Sequence, residues 1–322
     1  MSAFALLLCL LPEPPSRPGS GPGGAEYPHG SYTAHKFGED ERAFWVFLPD
    51  SPKPDTAPVI IFLHGWSVVD PEGYGAWIEH LARRGAVVIY PRYQKGPVEL
   101  RAGMFPYAVE AIRQALAVIP SLGVVPDTSR VAIMGHSFGG LMAVAMAGSA
   151  DSLGLPWPKA VMIAQAGGKP IPWFKPERIP PGTLLLAVAG DRDNVVGDSI
   201  SKKVIQGATN VPDSCKDFLV LVSDDHGSPG LVADHTSAMA GRPGRAGCFL
   251  PFFARFLGRS GLVTDALDWF GYWKLFDGLT DAAFWGKNRQ YALGGTPEQL
   301  FMGAWSDGTP VKQPERPLAT QE

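Results

Sequence analysis

One serine in this 322-residue chain stands in a setting that could make it a nucleophile. Residues Arg130 to Ala147 read RVAIMGHSFGGLMAVAMA. An apolar strand runs into Gly135-His136-Ser137-Phe138-Gly139, and a helix of small residues begins at once. G-x-S-x-G at a strand-to-helix turn forces its serine into a strained backbone conformation and projects the hydroxyl from the sheet edge. Side chains at Gly135 and Gly139 would collide with such a turn. The backbone N–H of Phe138 lies at the helix N-terminus, where the helix dipole favours developing negative charge. The chemistry these residues could support is attack of Ser137 on a carbonyl carbon. It needs a base to take the hydroxyl proton and an acid to orient that base.

Candidates for those roles are few. The chain has seven histidines. His29 and His35 are expected to precede the fold, and His80 falls on a helix. Asp224, Asp225, His226, Asp234 and His235 form a polar cluster that could suggest a metal. Histidines at 226 and 235 in a Gly/Pro-containing loop match no zinc spacing such as H-E-x-x-H, so no metal is expected. No P-loop or strand-associated G-x-G-x-x-G occurs, which disfavours nucleotides, and the expected chemistry is cofactor-independent. Glu39-Asp40-Glu41 reads as a solvated turn.

With its strand and helix flanks, the serine motif resembles the α/β-hydrolase superfamily over roughly Ala43 to Leu257. The resemblance implies a mainly parallel sheet with helices on both faces, no large cap domain, and a Ser-Asp-His order along the chain. His64-Gly65-Trp66 follows the strand PVIIFL where the family has its oxyanion loop. The N–H of Trp66 would then join that of Phe138 as a donor, and the indole would wall the acyl pocket. Ala189-Gly190-Asp191-Arg192-Asp193 follows the strand TLLLAV. A G-x-x-D turn there selects Asp193 as the acid and leaves Asp191 to brace the loop. The general base lies just beyond the strand Phe218 to Ser223, which points to His226. His235 is a rival in the same loop, but Asp234-His235-Thr236-Ser237 reads as a helix start, with capping or packing as its role. The resemblance is nearest to dienelactone-hydrolase-like and cutinase or acetylhydrolase-like esterases, with Ser137 where dienelactone hydrolase itself has cysteine. It implies a serine esterase acting on small or polymeric carboxylic esters. Peptidase, thioesterase and acyltransferase chemistry on the same fold remain alternatives, as does a non-catalytic binding protein.

The elements needed to position these residues are legible. Continuous apolar runs at Pro58 to Leu63, Ala86 to Tyr90, Arg130 to Met134, Ala160 to Ala164, Thr183 to Val188 and Phe218 to Val222 predict strands buried on both faces. Ala43 to Leu48 is the first strand expected. Between the strands, Glu72 to Arg84, Phe105 to Ile119, Phe138 to Ala147 and Ser199 to Ala208 carry helical spacing. Alternation of this kind argues for a parallel α/β sheet. The link Gly167 to Gly182 is short and Pro-rich, which is too little for a helical lid, although Trp173 and Phe174 could overhang the site. Asp265 to Trp285 is aromatic-rich and helical, serving either as a second wall or as core. The tail from Asp307 is expected to be poorly ordered.

Composition bounds the partners. Lys and Arg number 28 against 31 Asp and Glu, so no basic surplus exists to drive binding to nucleic acid. Ser2 to Leu11 is apolar but too short for a membrane span, which needs about 20 residues. Its length suits the apolar core of a secretory signal, so a secreted or periplasmic location is expected, or a cytoplasmic one if the run is not a signal. No stable membrane insertion is expected, and composition does not address oligomeric state. The division read from the sequence is 1–28 as signal-like segment and Pro/Gly linker, 29–260 as catalytic domain, and 261–322 as helical extension and tail. Cys215 and Cys248 could form a disulfide in an oxidising compartment.

Overall fold

Strands that are apolar on both faces must be covered on both faces, and this requirement shapes the molecule. The computed structural model describes residues 11–96, 103–169, 171–241 and 263–318. In it β3 (Thr56–Leu63), β4 (Val87–Pro91), β5 (Val125–His136), β6 (Ala160–Ala164), β7 (Leu184–Gly190) and β8 (Lys216–Leu221) are parallel. Every residue of β4, β6 and β7 is buried. Two antiparallel strands, β1 (Ser31–Phe37) and β2 (Phe44–Asp50), extend the sheet beyond β4. The order is β1-β2-β4-β3-β5-β6-β7-β8.

Sequence periodicity misses β1. Its residues SYTAHKF are half-exposed or exposed along an edge, so no continuous apolar run marks them. His35 is therefore part of the sheet and does not precede it.

Helices α1 (Gly75–Arg83) and α5 (Trp273–Trp285) cover one face of the sheet. Helices α2 (Met104–Val118), α3 (Phe138–Ala147) and α4 (Ser199–Gly207) cover the other. Helix α3 is buried along its whole length, which explains its small residues: no side of it faces water. The aromatic C-terminal segment is core. Trp273, Phe276 and Leu279 are buried with Trp77 of α1 and the undersides of the central strands. A π-helical turn, Leu267–Tyr272, leads into α5.

Both flanking segments are tied down. In residues 12–28, composed like a linker, the Arg17 guanidinium donates to the carbonyls of Gly23 and Gly24 and lies 2.7 Å from His80 Nδ1. The Gly23 N–H donates to Asp277 Oδ2 (2.7 Å). The tail from Asp307, expected to be loose, packs on the fold in its described residues. Glu315 exchanges two backbone hydrogen bonds with Val220 and so covers part of the β8 edge. Cys215 is a half-buried free thiol, while its expected partner Cys248 lies outside the described residues, as do residues 1–10 of the apolar run. Among the described residues no helix is long and apolar enough to cross a membrane.

Asp277 is the hub beneath this arrangement. It is buried, pairs with His80 (2.9 Å) and Arg84 (3.2 Å), and accepts the Gly23 N–H. Burial favours its neutral form, but the charge of Arg84 and the hydrogen bonds from His80 and the Gly23 N–H outweigh this and hold its carboxyl below the usual range. Asp277→Ala strands these donors in the interior and should cost about 3–5 kcal/mol, read from urea unfolding; an unchanged midpoint would contradict the assignment. The buried histidines set a pH dependence. Burial pushes His80 down, and pushes His136 down to about 3, from an ordinary value of 6.5. The unfolded chain therefore takes up protons at these positions that the native chain refuses. Stability present above about pH 6.5 should be lost progressively as pH falls toward 3. Urea midpoints at pH 7, 5.5 and 4.5 should decline in that order.

Candidate active site

Ser137 is the link between β5 and α3. Its φ of +54° and ψ of −122° lie in a region that non-glycine residues rarely occupy. The turn survives because its neighbours fit without side chains. A Cβ on Gly135 would overlap the Gly139 carbonyl, and one on Gly139 would overlap the carbonyl of Leu63 at the end of β3. The Ser137 N–H is held by Ala164 O (2.9 Å) and its carbonyl accepts from Gly140 N–H (2.9 Å). The hydroxyl is left to meet groups from later in the chain.

Those groups are Asp193 and His235. Asp193 follows β7, and its Oδ1 accepts the backbone N–H groups of Val195 (2.9 Å) and Val196 (3.0 Å). Its other oxygen pairs with His235 Nδ1 at 2.8 Å. His235 Nε2 lies 3.0 Å from Ser137 Oγ. Burial pushes the Asp193 carboxyl up, but the hydrogen bond from His235, with those from the two valine N–H groups, more than offsets this and holds it below its ordinary value. An ionised carboxylate, an imidazole and a hydroxyl are thus connected in series, and this arrangement can move a proton off Ser137. Asp191 braces the loop, accepting from Ser223 Oγ.

His226 is not brought to Ser137, and this corrects the expectation drawn from its short tether. After β8 the chain turns back on itself: Asp224 and Leu231 exchange two backbone hydrogen bonds, which leaves His226 at the tip. There its side chain is 37% exposed and its Nε2 pairs with Asp307 Oδ2 (2.8 Å). The tip is wedged between chain ends. Ser228 N–H donates to Pro12 O, and Gly227 packs so closely on Pro12 O and the Trp305 ring that no Cβ would fit. Asp224 accepts from Trp305 Nε1 and Lys312 N–H, and Asp225 pairs with Arg192. Only when the chain leaves this turn does it return to the site. Arg192 N–H donates to Ala233 O, and Ala233 N–H to Ser223 Oγ, which sets His235 beside Asp193. Asp234 does not start a helix: its Oδ1 accepts from Thr236 N–H and Oγ1, a local turn that presents His235.

Sequence reasoning also passed over Gln165. This buried residue, at φ +44°, has its Nε2, with two hydrogens to donate, within hydrogen-bond distance of Asp234 O, Ser237 Oγ (2.8 Å) and Tyr272 Oη (2.8 Å), bracing the segment that carries His235. Its positive φ directly after β6 has no signature in residue type.

The expected oxyanion loop follows β3. A Cβ on Gly65 would lie 3.3 Å from Ser137 Cβ, so the loop at Gly65 rests against the elbow. His64 is structural. It is buried, stacks on Tyr93 at 3.9 Å, and faces the carbonyls of Gly65 (2.7 Å) and Arg92 (2.6 Å). Burial dominates and pushes it down to about 4, against the pull of those two carbonyls. Of the aromatic residues expected to line the pocket, Trp66 is half-buried against the core, and Trp173 is 39% exposed and stacked on Phe105 of α2 (4.8 Å). Phe174 packs against the core with Lys203 above it, so Trp173 offers the open ring. Among the described residues no group of three or more His, Cys, Asp or Glu side chains could hold a metal ion.

A family model described as Chlorophyllase matches residues 35–167, a span that includes the elbow and ends before Asp193 and His235. Comparison with curated proteins gives no significant match. Solved structures similar to this chain include a mutant of the esterase rPPE, with 16% identity and a TM-score of 0.49, over 65% of this chain and 75% of that one. Another comes from an analysis of two fungal esterases from Rhizomucor miehei, with 14% identity and a TM-score of 0.46, over 61% of this chain and 74% of that one. This sheet order, with a strained serine between β5 and a buried helix, is that of an α/β-hydrolase fold.

Proposed function

We propose that the protein is a serine hydrolase of carboxylic esters, with Ser137 as nucleophile, His235 as general base and Asp193 as the acid that orients it. The observation that carries this reading is the connected pair of contacts, Ser137 Oγ to His235 Nε2 at 3.0 Å and His235 Nδ1 to Asp193 Oδ2 at 2.8 Å. The match to the Chlorophyllase model supports the same class of enzyme. Ser137 Oγ attacks the ester carbonyl carbon as its proton passes to His235 Nε2. The tetrahedral oxyanion accepts hydrogen bonds from the backbone N–H groups of Trp66 and Phe138. Collapse expels the alcohol, which takes the proton from His235 and leaves an acyl group on Ser137. A water molecule, deprotonated by His235, attacks that acyl group and frees the carboxylic acid and Ser137. The Trp66 and Trp173 rings offer apolar surface to the ester, which favours substrates with an apolar acyl or alcohol part.

Hydrolysis of p-nitrophenyl esters of increasing chain length, with fluorophosphonate labelling of Ser137, tests the reading. Ser137→Ala should abolish labelling and lower turnover by a factor on the order of 10⁶. His235→Ala should eliminate turnover, while His226→Ala retains most of it because that side chain pairs with Asp307 at the surface. Near-parental turnover in a folded Ser137→Ala variant would refute the assignment, and the opposite ranking of the two histidine variants would return the base to His226.

A further inference from the structure

A second line of hydrogen bonds runs beneath the reacting groups, through residues that the proposed chemistry does not use. Tyr74, fully buried just ahead of α1, accepts the Gly65 N–H at 2.9 Å. Its oxygen also lies 2.7 Å from His136 Nδ1. His136, the residue before the nucleophile, is buried, and its Nε2 is 2.9 Å from the backbone carbonyl of His235. A carbonyl only accepts, so Nε2 carries the proton. Burial, and after it the neighbouring His235 ring at 5.2 Å, disfavour a second proton on the His136 ring. Nδ1 is therefore an acceptor, and the Tyr74 hydroxyl must donate to it. The chain of bonds has one direction throughout: Gly65 N–H to Tyr74, Tyr74 O–H to His136 Nδ1, His136 Nε2–H to His235 carbonyl.

Its ends matter. Gly65 precedes Trp66 in the oxyanion loop, His136 precedes Ser137, and His235 faces both Ser137 and Asp193. These three pieces come from the ends of β3 and β5 and from the loop after β8, and the elbow alone does not fix their mutual distances. A Cβ on Gly65 would come within 3.0 Å of His136 Nδ1, so the loop is also in direct contact with the ring.

We infer that Tyr74 and His136 are positioning residues that set the oxyanion loop and the His235 backbone in register with Ser137. The inference rests on the hydrolase reading above. Neither side chain touches the substrate, so losing the link should leave substrate binding nearly intact and impair only the arrangement needed in the transition state.

The test is Tyr74→Phe in the full chain, which keeps the ring and removes the hydroxyl, with kcat normalised to sites titrated by fluorophosphonate. Turnover per site should fall about tenfold or more with KM within about twofold. Affinity for an alkyl trifluoromethyl ketone, which forms an oxyanion on Ser137, should fall in parallel with kcat. A merely structural role would reduce the number of titratable sites and leave kcat per site and ketone affinity unchanged. His136→Gln, whose amide can accept and donate along the same line, should retain more turnover than His136→Leu. Nitrogen NMR of the parent supplies a readout free of folding effects, with His136 expected as the Nε2–H tautomer. Turnover and ketone affinity per site within about twofold of the parent in Tyr74→Phe, or a His136 Nδ1–H tautomer, would overturn the inference while the hydrolase reading stands. A parent that neither labels nor hydrolyses any ester would instead remove the hydrolase reading, and the inference with it.

Discussion

A serine at φ +54° carries strain on the order of 1–3 kcal/mol and persists only where its surroundings leave it no alternative. Much of the sheet's upper edge follows from that constraint. The strain is held by β5 on one side, a fully buried α3 on the other, and the ends of β3 and β6 against it. Because Gly139 sits on the Leu63 carbonyl, the end of β3 cannot drift from the nucleophile without lifting α3 out of the core. Small residues along α3 are thus part of the same requirement as the two elbow glycines. They let a helix with no wet face lie close enough to the sheet to hold its own first turn in place.

What could be read from residues alone was whatever is written in local pattern. The elbow is local: a glycine two places either side of a serine, between a strand and a helix. The buried parallel strands are local as well, since each is a short apolar run with no polar alternation. Asp193 follows β7 within a short turn, so strand and turn chemistry together locate it. His235 was not legible in this way. Its distance from β8 in sequence is set by the detour from Asp224 to Leu231, and that detour is held by contacts to Pro12, Trp305, Asp307 and Lys312, from both far ends of the chain. A tether argument rewards the nearer histidine and carries no knowledge of what pulls it away.

The flanking segments show the same limit in another form. Residues 12–28 have the composition of a linker, and among their anchors are one guanidinium and one backbone N–H reaching a buried ionic cluster. β1 is missed because an edge strand with a wet face need not be apolar. The tail packs on the fold because the exposed edge of β8 offers unpaired backbone groups, and Glu315 takes two of them. In each case the ordering force comes from partners distant in sequence.

The turn at His226 links parts of the molecule that are far apart in the chain. Ser228 N–H reaches Pro12 O, and Glu13 and Ser306 are joined through the Ser306 N–H to the Glu13 carbonyl. The two ends of the described chain are therefore sewn to each other, with the loop from β8 to His235 passing through the seam. Proteolytic nicking near residue 13 or residue 306 would loosen the support of an imidazole that neither site touches. The pocket walls and the elbow would stay as they were, and the damage would be felt first in the lifetime of the contact between His235 and Ser137.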